Sequence, residues 1–136
     1  MSDVRNITSL DNRFGCTYSA YLFNQESANK TFPIVPDTAK ADPGEDTPTQ
    51  DMWTPWCDSQ KDLDEGHYIK ATFSERGKPD VVNYIFQSGD FIYYTDSSKQ
   101  FSRKQVMDGD SKEGKGEYKL EIHSSGGLPR MVLNKY

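Results

Sequence analysis

The chain has 136 residues, a formal net charge of −5 and a pI near 5.0, with 34% apolar and 12% aromatic side chains. That length supports a single domain, residues 1–136, with its own core, and the aromatic content excludes a disordered chain. The acidic balance argues against nucleic acid as a partner: the densest basic group, Lys99, Arg103, Lys104, Lys112 and Lys115, is interleaved with Asp96, Asp108, Asp110, Glu113 and Glu117 and reads as a mixed solvated face.

No apolar run reaches the length of a transmembrane segment. Residues 1–6 lack the charged start and apolar core of a secretory signal, so the expected setting is cytoplasmic, or a mature secreted form without its leader. Residues 4–10 form a poorly alternating strand. A better one runs over 16–23, with Tyr18 on the face of Cys16. The apolar stretch 32–36 is bracketed by Pro33 and Pro36, which cannot donate to a ladder, and reads as an edge segment or extended loop. Residues 37–51 are acidic, contain Pro43-Gly44 and Pro48, and hold almost nothing apolar; they are expected to be a long flexible loop.

From His67 the pattern is steadier. Ile69, Ala71 and Phe73 alternate with Lys70 and Thr72. Residues 81–87 and 91–95 are rich in β-branched and aromatic side chains and flank Ser88-Gly89-Asp90, a two-residue hairpin turn with glycine where positive φ is needed. Residues 101–107 fit a short strand or a helical turn equally well. Residues 108–116 are a polar loop, 118–123 alternate cleanly, 124–127 make a turn, and 131–133 return as the last strand. The sum is an all-β domain of about seven or eight strands with a long acidic loop. Short loops force antiparallel pairing, so an antiparallel β-sandwich is expected, with a small β-barrel as the alternative.

Four groups of residues bear on chemistry. Trp53-Thr54-Pro55-Trp56 places both tryptophans on a turn-rich segment, where a flat indole can stack on a sugar ring while Asp51, Asp58 and Gln60 take its hydroxyls; the competing reading is that the indoles plug an open end of the fold. Asp58, Asp62, Asp64 and Glu65 precede Gly66 and could wrap Ca²⁺, but the full twelve-residue loop is missing, since Phe73 stands where its closing Glu belongs. No cofactor is therefore expected, and solvated acids are the simpler reading. His67 and His123 are the only histidines, without a nucleophile motif beside them. Tyr68, Tyr84, Tyr93, Tyr94 and Tyr118 lie on strands, where Asn83 and Gln87 could join some of them in a shallow polar-aromatic surface. Cys16 and Cys57 could close one disulfide, worth roughly 3–4 kcal/mol in an oxidising compartment, or remain two thiols.

These features rank a carbohydrate-binding, lectin-like module first, with a carbohydrate or other small polar ligand at the aromatic turn. Second is a membrane-active or self-associating effector-like protein, homo-oligomeric in the latter case. Third is a small β-barrel enzyme using His67 or His123, the least favoured because no catalytic constellation is visible.

Overall fold

The computed structural model describes residues 5–15, 17–28, 38–111 and 116–136. Among them are eleven strands in two sheets. The strands are β1 (Arg5–Arg13), β2 (Ser19–Asn24), β3 (Thr38–Ala41), β4 (Asp46–Trp53), β5 (Ile69–Ser74), β6 (Val81–Ser88), β7 (Phe91–Thr95), β8 (Gln105–Val106), β9 (Asp108–Gly109), β10 (Gly116–Ser125) and β11 (Leu128–Lys135). Two short helices, α1 (Gln25–Ala28) and α2 (Gln60–Asp64), and a 3₁₀ turn at Phe101–Arg103 complete the described elements.

One sheet has the order β4-β1-β10-β11-β9 and the other β3-β2-β5-β6-β7-β8. The two pack into a sandwich, as expected, and neither closes into a barrel. The expectation of purely antiparallel pairing requires correction. The second sheet is antiparallel throughout, but in the first β1 runs parallel to β10 and β9 parallel to β11. Loop length explains the difference: β1 and β10 are separated by most of the chain, so no short turn dictates their relative direction.

The strand count also exceeds seven or eight, because β8 and β9 have only two residues each and because β3 and β4 lie where a long loop was expected. Both β3 and β4 are edge strands. An edge strand needs neither an apolar inner face of full width nor a donor at every position, which accommodates Pro48 opposite Ser9 and the polar composition. The expected hairpin is present: Ser88 pairs with Phe91, and Gly89 turns the chain at φ 58°.

The core lies between the sheets. Ile7, Leu10, Tyr118, Leu120, Ile122, Met131 and Leu133 face Leu22, Ile69, Ala71, Phe73, Ile85 and Ile92, all buried. β1 holds the centre of this arrangement despite its poor alternation. Its register slips between Ile7 and Ser9, leaving Thr8 as an extra residue, so the inward positions run Ile7, Leu10, Asn12 rather than every second residue. A second, smaller apolar cluster of Cys57, Leu63, Tyr68 and Phe86 forms on the opposite face of β6, beneath α2. Ser59 caps α2 by accepting from the Asp62 N–H at 3.2 Å, and Leu63 anchors the helix by burying its side chain.

Candidate functional site: the tryptophan turn

The segment after β4 joins the two sheets. The Thr54 N–H donates to Arg5 O (2.9 Å), the Gln87 N–H to Pro55 O (2.8 Å) and the Cys57 N–H to Gln87 O (2.9 Å). Trp56 thus forms a one-residue parallel bridge with Gln87, just past the Ile69–Ile85 pair that ends the β5–β6 ladder. Beneath it, the Gln87 carboxamide accepts from Arg5 Nη1 (2.9 Å) and donates to Thr54 O (2.6 Å), all three residues being at most 2% exposed. A buried guanidinium is stable only when such acceptors surround it; Asp90 O supplies another at 3.2 Å.

The two tryptophans have different environments. Trp56 is 40% exposed. Trp53 is half-buried, and its indole N–H donates to Glu26 Oε1 at 2.9 Å. The other oxygen of Glu26 lies 2.5 Å from His67 Nδ1. Of the proposed hydrogen-bonding residues, Asp58 is exposed, with Oδ1 accepting from the Ser88 hydroxyl at 2.9 Å. Gln60 is committed elsewhere: its amide donates to Asp64 Oδ1 and Lys99 O (each 3.0 Å) and accepts from the Phe101 N–H (2.7 Å), tying α2 to the 99–101 turn. The side chain of Asp51 lies outside those described.

Asp62, Glu65 and His67 come together, each offering one ligand atom within 4.8 Å of the others. Asp58 and Asp64, expected with them, do not join this group. Glu26 holds His67 through Nδ1, which leaves Nε2 facing Glu65 Oε1 at 3.9 Å. Zinc bonds of about 2.0–2.2 Å hold tetrahedral ligands closer together than 4.8 Å, so the side chains would have to close for that ion. Calcium tolerates the spread but takes about 6–8 oxygens. The triad is an incomplete metal site. His123 is on the other sheet, 3.1 Å from Glu121 Oε1, so the two histidines do not form a pair.

Cys57 is a free, fully buried thiol, and burial pushes its pKa up to about 12. Cys16, its possible disulfide partner, lies outside the described residues. The tyrosines do not form one surface. Tyr118 and Tyr94 belong to the main core, and Tyr68 to the smaller cluster, its ring 4.8 Å from that of Tyr84. Lys99 covers Tyr68 at 4.8 Å, and Lys104 covers Phe101 at 4.1 Å. Asn83 and Gln87 are buried on the face of β6 that carries Ile85, opposite Tyr84.

Arg5 and Glu26, which support the turn, escaped the sequence reading; a lone arginine in an irregular strand and a lone glutamate give no pattern to find. No helix among the described residues is long and apolar enough to cross a membrane. No protein-family model matches the chain, and comparison with curated proteins and with solved structures found no match. The chain is thus an all-β module of two packed sheets, with aromatic clusters at its surface and an incomplete metal triad, features of a small binding domain.

Proposed function

We propose that this domain binds carbohydrate, with Trp56 as the stacking platform. The observation that supports this reading is an indole 40% exposed on a backbone fixed by main-chain bonds on both sides. An aromatic surface held before the ligand arrives loses little conformational freedom on binding. Asp58 stands two residues on, its Oδ1 taken by Ser88 and its Oδ2 available to a sugar hydroxyl. Trp53 and Gln60 serve as supports in this scheme: the indole N–H of Trp53 is occupied by Glu26, and the amide of Gln60 by α2 and the 99–101 turn.

A glycan array probed with the wild type and with Trp56→Ala tests the proposal. Signal in the wild type, lost in the variant while the far-ultraviolet circular dichroism is unchanged, is the expected result. A silent array, or one on which Trp56→Ala binds as well as the wild type, overturns it.

A further inference from the structure

The net charge of −5 averages two unlike faces. The strands of the sheet β4-β1-β10-β11-β9 carry the carboxylates of Asp11, Asp46, Asp51, Asp108, Glu117 and Glu121. The strands of the other sheet contain no aspartate or glutamate at all. Alternation sends Ala20, Leu22, Ile69, Ala71, Ile85 and Ile92 into the core, so the intervening positions form that sheet's outer face. Tyr21, Phe23, Tyr84, Phe91 and Tyr93 stand there with Lys40 and Lys70, and Lys70 pairs between Phe23 and Tyr84. Residues 96–104 fold over the same face and add two more cations. Lys99 Nζ lies 4.8 Å from the ring centre of Tyr68 and 5.5 Å from that of Tyr84. Lys104 Nζ lies 4.1 Å from Phe101 and 5.3 Å from Tyr93.

Interleaved with acids in sequence, these lysines are separated from them in space. Lys70, Lys99 and Lys104 have no carboxylate partner among the described residues. Asp42, Asp64 and Asp96 border the face and are bonded to Lys40 (3.5 Å), Gln60 (3.0 Å) and Arg103 (3.3 Å). The rings are already aligned: Tyr93 and Phe101 lie 26° and 22° from the plane of Phe86, at 6.1 and 5.6 Å, in a nearly parallel stack. We propose that this face binds single-stranded nucleic acid, with bases stacking on Tyr21, Tyr84 and Tyr93 and phosphates taking the ammonium groups of Lys70, Lys99 and Lys104. Stacking on aromatic side chains beside a cationic track for the backbone is the chemistry by which single strands are held without reading their sequence. The site shares no residue with the Trp56 turn.

The rings select among polyanions. Tyr21 is 39% exposed, while Phe23, Tyr84, Phe91 and Tyr93 are half-buried in the sheet. Rings held at that level accept a flat base on their surface but do not project far enough to enter a bilayer, whose binding requires apolar side chains sunk below the headgroups. A duplex offers its phosphates, yet its bases are stacked on one another. A sulfated glycan matches the ammonium groups and brings no planar π-face to the stack of Tyr93, Phe86 and Phe101. With a single strand the exchange is balanced: each ammonium leaves a ring for a phosphate as a base takes its place on that ring. The flexible four-carbon stem of lysine permits the move.

Fluorescence anisotropy of the full chain with a labelled oligothymidylate of about twelve residues tests this, with its duplex, heparin and phosphatidylserine vesicles as competitors. The single strand is expected to bind saturably and at least tenfold more tightly than the duplex. Three phosphate contacts predict a slope of about −2 in log K against log salt, a loss of roughly 20-fold between about 50 and 200 mM. Tyr21→Ala is expected to weaken binding at least fivefold, and Lys70→Gln to weaken it and to take about 0.7 off the salt slope. Both positions are on the outer face, and unchanged far-ultraviolet circular dichroism shows that the fold is kept. Arg130→Gln, on the other sheet, is expected to bind like the wild type. Absence of oligothymidylate binding, equal affinity for the duplex, heparin or vesicles, a flat salt dependence, or Tyr21→Ala and Lys70→Gln binding no worse than Arg130→Gln overturns the proposal.

Discussion

Replacing Gln87 with leucine probes the joint that holds the tryptophan turn to both sheets. The two side chains are similar in size, so the substitution removes hydrogen bonds and opens little cavity. Two bonds are lost, one from the Arg5 guanidinium at 2.9 Å and one to Thr54 O at 2.6 Å, among residues that are at most 2% exposed. A bond to a charged donor contributes about 1.5–3 kcal/mol and a neutral one about 0.5–1.5, and each group left behind is buried without this partner. Arg5 keeps Asp90 O at 3.2 Å, which limits the loss. The expected destabilisation is about 3 kcal/mol, a large share of the ~5–15 kcal/mol that holds a typical domain together. Urea unfolding followed by tryptophan fluorescence measures it; with a slope of about 1–3 kcal/mol per molar, the midpoint falls by roughly 1–3 M. Arg5→Met breaks the same bond, so the double variant loses less than the sum of the singles. A loss below about 1 kcal/mol for Gln87→Leu, or strict additivity with Arg5→Met, would refute the reasoning.

Other substitutions test separate parts of the structure. Glu26→Ala removes the acceptor of the Trp53 indole and the partner of His67, and is expected to cost about 1–2 kcal/mol and to shift Trp53 emission in a Trp56→Phe background; unchanged emission contradicts the assignment. Cys57 is expected to resist iodoacetamide at pH 8 in the native state and to react once unfolded, since burial holds its pKa near 12. Its pKa is higher folded than unfolded, so its contribution to stability is complete below about 9 and is lost as pH rises toward 12; a Cys57→Ala variant should show a shallower decline across that window. Gly109 and Gly77 both have positive φ, but a Cβ at Gly109 would lie 2.5 Å from Leu133 O while one at Gly77 meets nothing within 4 Å. Alanine at Gly109 should therefore cost more than alanine at Gly77, the latter about 1 kcal/mol, and equal melting temperatures would refute the close approach.

Local structure was most legible where the chain obeys a single period. The alternation in β5, β6, β7 and β10 and the glycine at the β6–β7 turn are direct readouts of side chains that face one core. Legibility failed where a bulge changed the parity, as at Thr8, and where an edge position relaxed the need for apolar side chains, as in β3 and β4. The parallel β1–β10 pairing is a long-range choice that no local pattern carries. At the site, the tryptophans announced themselves by type, but their division into an exposed Trp56 and a tethered Trp53 depends on Glu26, 27 residues earlier in the chain. Asn83 looked like a surface residue because asparagine usually is one. Its parity with Ile85 placed it inside.

The central claim is that Trp56, and not Trp53, meets the ligand. Fluorescence titration of Trp53→Phe and Trp56→Phe with a glycan selected on the array tests it most directly. The account predicts a saturable change in emission when Trp56 is the remaining indole, and no binding when Trp53 is. Binding retained by Trp56→Phe, with the change arising from Trp53, would contradict it.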